Sequence, residues 1–122
     1  MATITITGDD CAIYNIPAHK RGDTWDGKTF SVIVNGAPLN LAGASILVEF
    51  RKRPHLNPTY TYSTANSKVV ITNAATGTFS IVGGIINFDI GYYDYDIQIT
   101  LSSGNVKTRV AGIWEIKRDT SR

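Results

Sequence analysis

With a single cysteine, Cys11, the chain can form no internal disulfide, so the fold must hold by packing alone. A lone cysteine fits a reducing compartment, and Cys11, next to an apolar segment, is expected to be a small buried side chain. Helical periodicity is missing too: no window of helix length repeats apolar residues at i, i+3, i+4 and i+7. No apolar run approaches the roughly 20 residues of a membrane span. The opening MATITITGDD lacks the basic region and apolar stretch of a signal peptide, so a soluble protein made in a cytoplasm is expected. Charge is sparse and balanced at 12 Lys and Arg against 10 Asp and Glu, which argues against a nucleic-acid-binding face. The two histidines, His19 and His55, fall in separate predicted loops without further ligands at metal spacing, and are expected to be ordinary exposed residues. Phosphate-binding loops, dinucleotide fingerprints, nucleophile elbows and Cys-x-x-Cys pairs do not occur. No cofactor, metal or nucleic-acid partner is expected, and the chain does not look like an enzyme.

What is present is strand after short strand. At 122 residues, 43% of them apolar, the chain suits one globular domain, 1–122. ATITIT sets Ile4 and Ile6 on one face, and AIYNI follows. PAHKRGDTWDGK then reads as a polar loop with Gly22, Gly27 and one large apolar residue, Trp25. TFSVIV turns Phe30, Val32 and Val34 inward, and Asn35-Gly36 predicts a type I′ hairpin turn. After a bend at Gly43, ASILVEFRKR points Ile46, Val48 and Phe50 one way and Glu49, Arg51 and Arg53 the other. Weaker strands are expected in TYTYS, KVVIT, TFSIV and IINFDI, with Gly83-Gly84 as a turn or bulge between the last two. The closing hairpin alternates best. It places Tyr95, Ile97, Ile99 and Leu101, with Val110, Trp114 and Ile116, inward, and Asp94, Asp96, Gln98, Lys107, Arg109, Glu115 and Lys117 outward. Eight or nine strands in an all-β, antiparallel two-sheet sandwich follow from this rhythm.

Few residues invite a chemical role. Asp94 and Asp96, two apart on one strand face, would sit about 7 Å apart, a spacing compatible with paired-carboxylate glycoside chemistry. Without a sign of burial to raise either pKa, they read as the wet side of the hairpin. Arg21-Gly22-Asp23 matches a cell-adhesion tripeptide that is common by chance, and Asn57-Pro58-Thr59 carries proline at the position that bars glycosylation. Tyr60, Tyr62, Tyr92 and Tyr93, with the Trp25 loop, could form a sugar-stacking surface. Trp25 could instead plug the end of the sandwich or anchor a partner.

The order RGDTWDGKTFSVIVNGAPLNLAGASILVEFRKRP, followed by YDYDIQIT, Gly104, Val106, Thr108, Gly112 and a closing DTSR (119–122), resembles small tailed-bacteriophage virion proteins with an immunoglobulin-like sandwich. It is similar to the N-terminal module of their upper-baseplate, receptor-binding-protein adaptors. The residues that carry the likeness are Gly22, Asp23, Thr24, Phe30, Val32, Asn35, Gly36, Pro38, Leu39, Leu41, Gly43 and Ala44, then Tyr95 to Thr100. The resemblance implies a structural part of the tail, baseplate or fibre attachment, made in the bacterial cytoplasm and acting in the virion among other virion proteins. A symmetric homo-oligomer is expected there, with Trp25, Phe79, Ile81, Ile85 and Ile86 as its contact residues. The alternatives are a head decoration or head-fibre protein, or a sandwich that binds host glycans.

Overall fold

A computed structural model describes residues 2–8, 10–54 and 59–118. The expectations for His55, for Asn57-Pro58 and for the DTSR tail lie outside the described residues. Within them the chain forms β1 (Ala2–Ile6), β2 (Ala12–Ile13), β3 (Ile16–Lys20), β4 (Thr24–Val34), β5 (Ala37–Pro38), β6 (Ser45–Lys52), β7 (Tyr60–Ser63), β8 (Val69–Asn73), β9 (Thr78–Ile85), β10 (Gly91–Thr100) and β11 (Val106–Lys117). A 3-10 turn at Ala74–Thr76 is the one helical element among the described residues. The fold is an all-β sandwich. One sheet has five strands in the order β1-β4-β9-β8 with β5 beside β4; the other has six, β2-β11-β10-β6-β7, with β3 beside β11.

The sheets are mixed rather than antiparallel throughout. β1 pairs parallel with β4, and β2 and β3 pair parallel with β11. The cause is one crossing: after Ile6 the chain leaves the five-stranded sheet and runs up the edge of the other before returning as β4. A parallel neighbour needs such a long excursion, whereas hairpin-linked strands are antiparallel by construction. Arg109 fastens the crossing. A bulge between Ile97 and Gln98 leaves this residue without a cross-strand partner and turns it inward, to 7% exposure, where its guanidinium donates to Gly8 O at 2.7 Å. The expected outward Arg109 is thereby corrected, because an extra residue in one strand reverses the side that follows.

A second reversal explains Trp25. The predicted loop narrows to residues 21–23, and β4 begins at Thr24. Trp25 and Phe30 are both buried although they differ in parity; across the ladder the same holds for Ile81 and Ile86. Gly27, at φ +76°, and Gly83 lie between these pairs, and a Cβ on either would collide with the opposing backbone. Two facing glycines let both strands rotate at one level, so β9 runs on through Gly83-Gly84 to Ile85 rather than turning there. Beyond it IINFDI is mostly a connection, not a strand, although Ile86 and Phe88 still fill the core.

Elsewhere the alternation holds. Asn35 (φ 53°) and Gly36 (φ 81°) form the expected turn, and Gly43 (φ 71°) the expected bend. Ile46, Val48, Phe50, Tyr95, Ile97, Ile99, Val110, Trp114 and Ile116 are buried as read. At the centre Trp114 packs on Trp25, Phe50 and Phe88, its ring centroid 4.7 Å from that of Trp25. Tyr95 donates its hydroxyl to Tyr14 O and Tyr93 donates to Asp89 O at 2.7 Å, so each buried phenol has a partner. Burial pushes both phenols well above the ordinary tyrosine pKa.

Candidate functional site

With the inward residues in the core, the groups left for work lie on the two outer faces and in the gaps beside β2 and β3. The outer face of the six-stranded sheet is charged. Glu49 and Asp96 are direct cross-strand neighbours, a pairing that repels. Arg51 lies between them and donates to Glu49 Oε1 and Asp96 Oδ2, each at 2.9 Å. One step along, Arg53 grips Asp94 with two bonds, Nε to Oδ2 at 2.9 Å and a terminal nitrogen to Oδ1 at 2.7 Å. Those bonds hold the Asp94 carboxyl below the usual aspartate pKa. A general acid in a glycosidase needs the reverse shift. The predicted wet side is therefore an ion-pair ladder. Beside it a concavity of about 450 Å³ is floored by Ile13, Ala111 and Ile113 and walled by Arg51, Asp94 and Asp96.

The outer face of the five-stranded sheet is sparsely charged. β1, β8 and β9 contain no charged residue, and β4 contains only Asp26 and Lys28. Lys28 is turned away, its ammonium 5.2 Å from the Tyr14 ring centre. Hydroxyls occupy the face in register: Thr3 beside Ser31 beside Thr78, and Thr29 beside Ser80 beside Val70. They bond to one another. Thr29 and Ser80 share a hydrogen bond of 2.7 Å, Ser31 and Thr78 one of 3.2 Å, and Thr76 and Thr78 one of 2.8 Å.

The five predicted contact residues do not form one surface. Trp25, Phe79, Ile81 and Ile86 are 5% exposed or less and belong to the core, so they cannot meet a partner without unfolding. Ile85 alone reaches solvent, at 66%. The reading of Trp25 as a plug agrees with its place against Trp114. The proposed sugar-stacking row is likewise dispersed. Tyr93 is buried, Tyr60 is stacked on Phe88 with ring centres 3.9 Å apart, Tyr62 packs on Phe50, and only Tyr92 is exposed. Alternation alone could have found Tyr93; the burial of Tyr60 depends on Phe88 arriving from the connection after β9.

Two further expectations change. Cys11 is exposed, because it lies in the crossing between sheets and not within a strand; partial burial and then the charge of Asp96 still raise its thiol pKa. His19 sits in β3 rather than in a loop, half-buried between Trp25 and Trp114 at centroid distances of 5.8 and 5.7 Å. Its Nδ1 lies 2.6 Å from Pro17 O, which also accepts from Trp114 Nε1 at 3.1 Å. Beside it a smaller cleft of about 220 Å³ runs between β3 and β4, lined by Tyr14, His19, Trp25, Asp26 and Lys28. The Arg-Gly-Asp tripeptide is a tethered turn, with Arg21 N donating to Lys117 O and Gly22 N to Ile86 O. Among the described residues no group of three or more His, Cys, Asp or Glu could hold a metal ion.

No protein-family model matches the chain, and comparison with the curated proteins finds no match.

Proposed function

We propose that this chain is a non-enzymatic structural protein of a tailed-bacteriophage virion, acting in the tail, baseplate or fibre-attachment region through contacts with other virion proteins. The reading rests on the residue order from Gly22 to Ala44 and from Tyr95 to Thr100. The observation that carries it is what has become of the reactive-looking groups. Asp94 and Asp96 are held by arginines, Tyr93 is buried and Tyr60 is stacked on Phe88, so what the folded block offers is surface. Such a block works by repetition, each copy presenting the same faces to its neighbours. Quantitative mass spectrometry of purified particles, with antibody labelling in micrographs, tests this. The chain should co-purify in fixed ratio with the tail proteins; abundance in the lysate but absence from particles would overturn it.

One observation favours a second reading, a module that binds host glycans. The 220 Å³ cleft sets the half-buried rings of Tyr14 and His19 beside Asp26 and Lys28, a combination that suits stacking plus hydrogen bonding to a single sugar ring. Binding on a glycan array that is lost in Asp26→Ala would support it, and an array without hits would end it.

A further inference from the structure

We infer that β1 is the edge on which another polypeptide docks, by adding one extended strand to the five-stranded sheet. The inference rests on the assembly reading above and names the edge that serves it.

A strand at the side of a sheet leaves half of its main-chain groups unpaired, and folded proteins protect such edges by shortness, charge, proline, bulges or side-chain cover. The other edges of this sandwich carry such a device. β2 and β5 are two residues long, and β5 ends in Pro38. β3 contains Pro17 and meets β11 through an irregular register. In β4 the stretch 24–29, which pairs with β9 alone, carries the exposed Asp26 and the half-buried Lys28. β8 is irregular between Ile71 and Asn73. On β7 the side chain of Asn66 occupies the free edge, donating to Thr61 O at 3.1 Å and accepting from Ser63 N at 2.9 Å.

β1 carries none of these. Five consecutive residues pair with β4 without a break in register, and Ala2–Ile6 contains neither charge nor proline. Asn35 N donates to Ile6 O at 2.9 Å, so Ile6, Ile4 and Ala2 turn their main-chain groups to β4, and Thr3 and Thr5 turn theirs outward. Both threonines are exposed, and among the described residues no hydrogen bond reaches those outward groups. Their N–H and C=O groups, repeating at ~6.6 Å along the edge, fix the chemistry of the occupant. An extended main chain matches that spacing, and uncharged β-branched residues suit the places beside Thr3 and Thr5. The occupant is one strand of another polypeptide and not a folded copy of this one. Across the seam β2 borders β1 as an edge of the second sheet, so a second sandwich would have to fit both edges at once.

The probe is the capped peptide Lys-Thr-Val-Thr-Val-Thr-Lys, whose centre favours a strand and whose lysines keep it soluble. Added to the intact, isotope-labelled chain, it should bind with a Kd on the order of 1 mM. The amides of Thr3 and Thr5 should then shift in NMR spectra and exchange severalfold more slowly with solvent. Those of Thr61 on β7 and Ile71 on β8 should not respond, and a peptide with Gly-Pro repeats between the same lysines should do nothing. Thr5→Pro removes an outward N–H and no bond to β4, so it should leave the fold intact and weaken binding at least tenfold. No response at about 10 mM peptide, a response at Thr61 or Ile71 instead, or undiminished binding to the proline variant would each overturn the inference. So would Thr3 and Thr5 shifts that follow the chain's own concentration without peptide, which would make a second copy the occupant. Particle composition is a separate measurement, so the virion reading and this edge can fail independently.

Discussion

On the outer face of one sheet Arg51 and Arg53 hold Glu49, Asp94 and Asp96 in a chain of ion pairs; on the other, Thr29, Ser31, Thr78 and Ser80 hold one another. Both faces arise from the same strand alternation, and both back onto one core. They differ in what water does to them. An ion pair at the surface is weakened by salt and by competing hydration. Paired hydroxyls carry no charge to screen and tolerate being dried. The charged face therefore suits a surface that stays wet, and the hydroxyl face one that can be covered.

The comparison can be broken most severely from behind. Trp114→Ala removes the ring on which Trp25, Phe50 and Phe88 converge, and should destabilise the fold by about 3–5 kcal/mol in denaturant unfolding. A loss that small changes leave near zero would mean that the two faces do not share a core. Next in size, Tyr95→Phe deletes the bond to Tyr14 O and leaves that carbonyl without its partner, for about 1–3 kcal/mol.

Smaller substitutions sharpen the contrast itself. Arg51→Ala leaves Glu49 facing Asp96 and should cost about 1 kcal/mol at low salt, shrinking as salt is added. Thr29→Val, which removes one hydroxyl of a bonded pair, should cost about 0.5–1 kcal/mol at any salt concentration. Equal salt dependence of the two variants would erase the distinction drawn here.

The pH dependence separates the regions as well. The carboxyl of Asp94 titrates below its unfolded value, so its contribution is present above about pH 4 and is lost as pH falls through the lower, folded value. The effect is small because the pair is half-exposed, and Arg53→Gln should abolish it. Tyr93 and Tyr95 titrate above their unfolded value, so their contribution is intact below about pH 10 and is lost as pH rises beyond it. Melting temperatures recorded from pH 3 to 11 should therefore fall at both ends; only the acid end should respond to Arg53→Gln.

Most of the core could be read directly. Phe30, Val32, Ile46, Val48, Phe50, Ile97, Ile99 and Trp114 follow the alternation of the stretch around them, and period two then assigns their faces. The misreadings collect where the period breaks. Arg109 was expected outside and lies inside, because it is the unpaired residue of a bulge. Trp25 and Ile86 looked available to a partner and are core, because Gly27 and Gly83 reverse both strands together, whereas Phe79 and Ile81 are core by plain alternation. Cys11 looked buried and is exposed, since the segment that carries it changes sheets. Each of these depends on a neighbour far along the chain, which a local pattern does not contain.

By itself, then, the amino-acid sequence determined an all-β sandwich, its turns at Asn35-Gly36 and Gly43, and the inward residues of its regular strands, because backbone sterics and alternation act over a few residues. Only the tertiary structure decided which strands became neighbours. That choice brought Arg51 between Glu49 and Asp96, set Thr29 against Ser80, and packed the backbones of Gly27 and Gly83 together. The character of the two outer faces is a property of those pairings, made by residues that lie 45 and 51 positions apart in the chain.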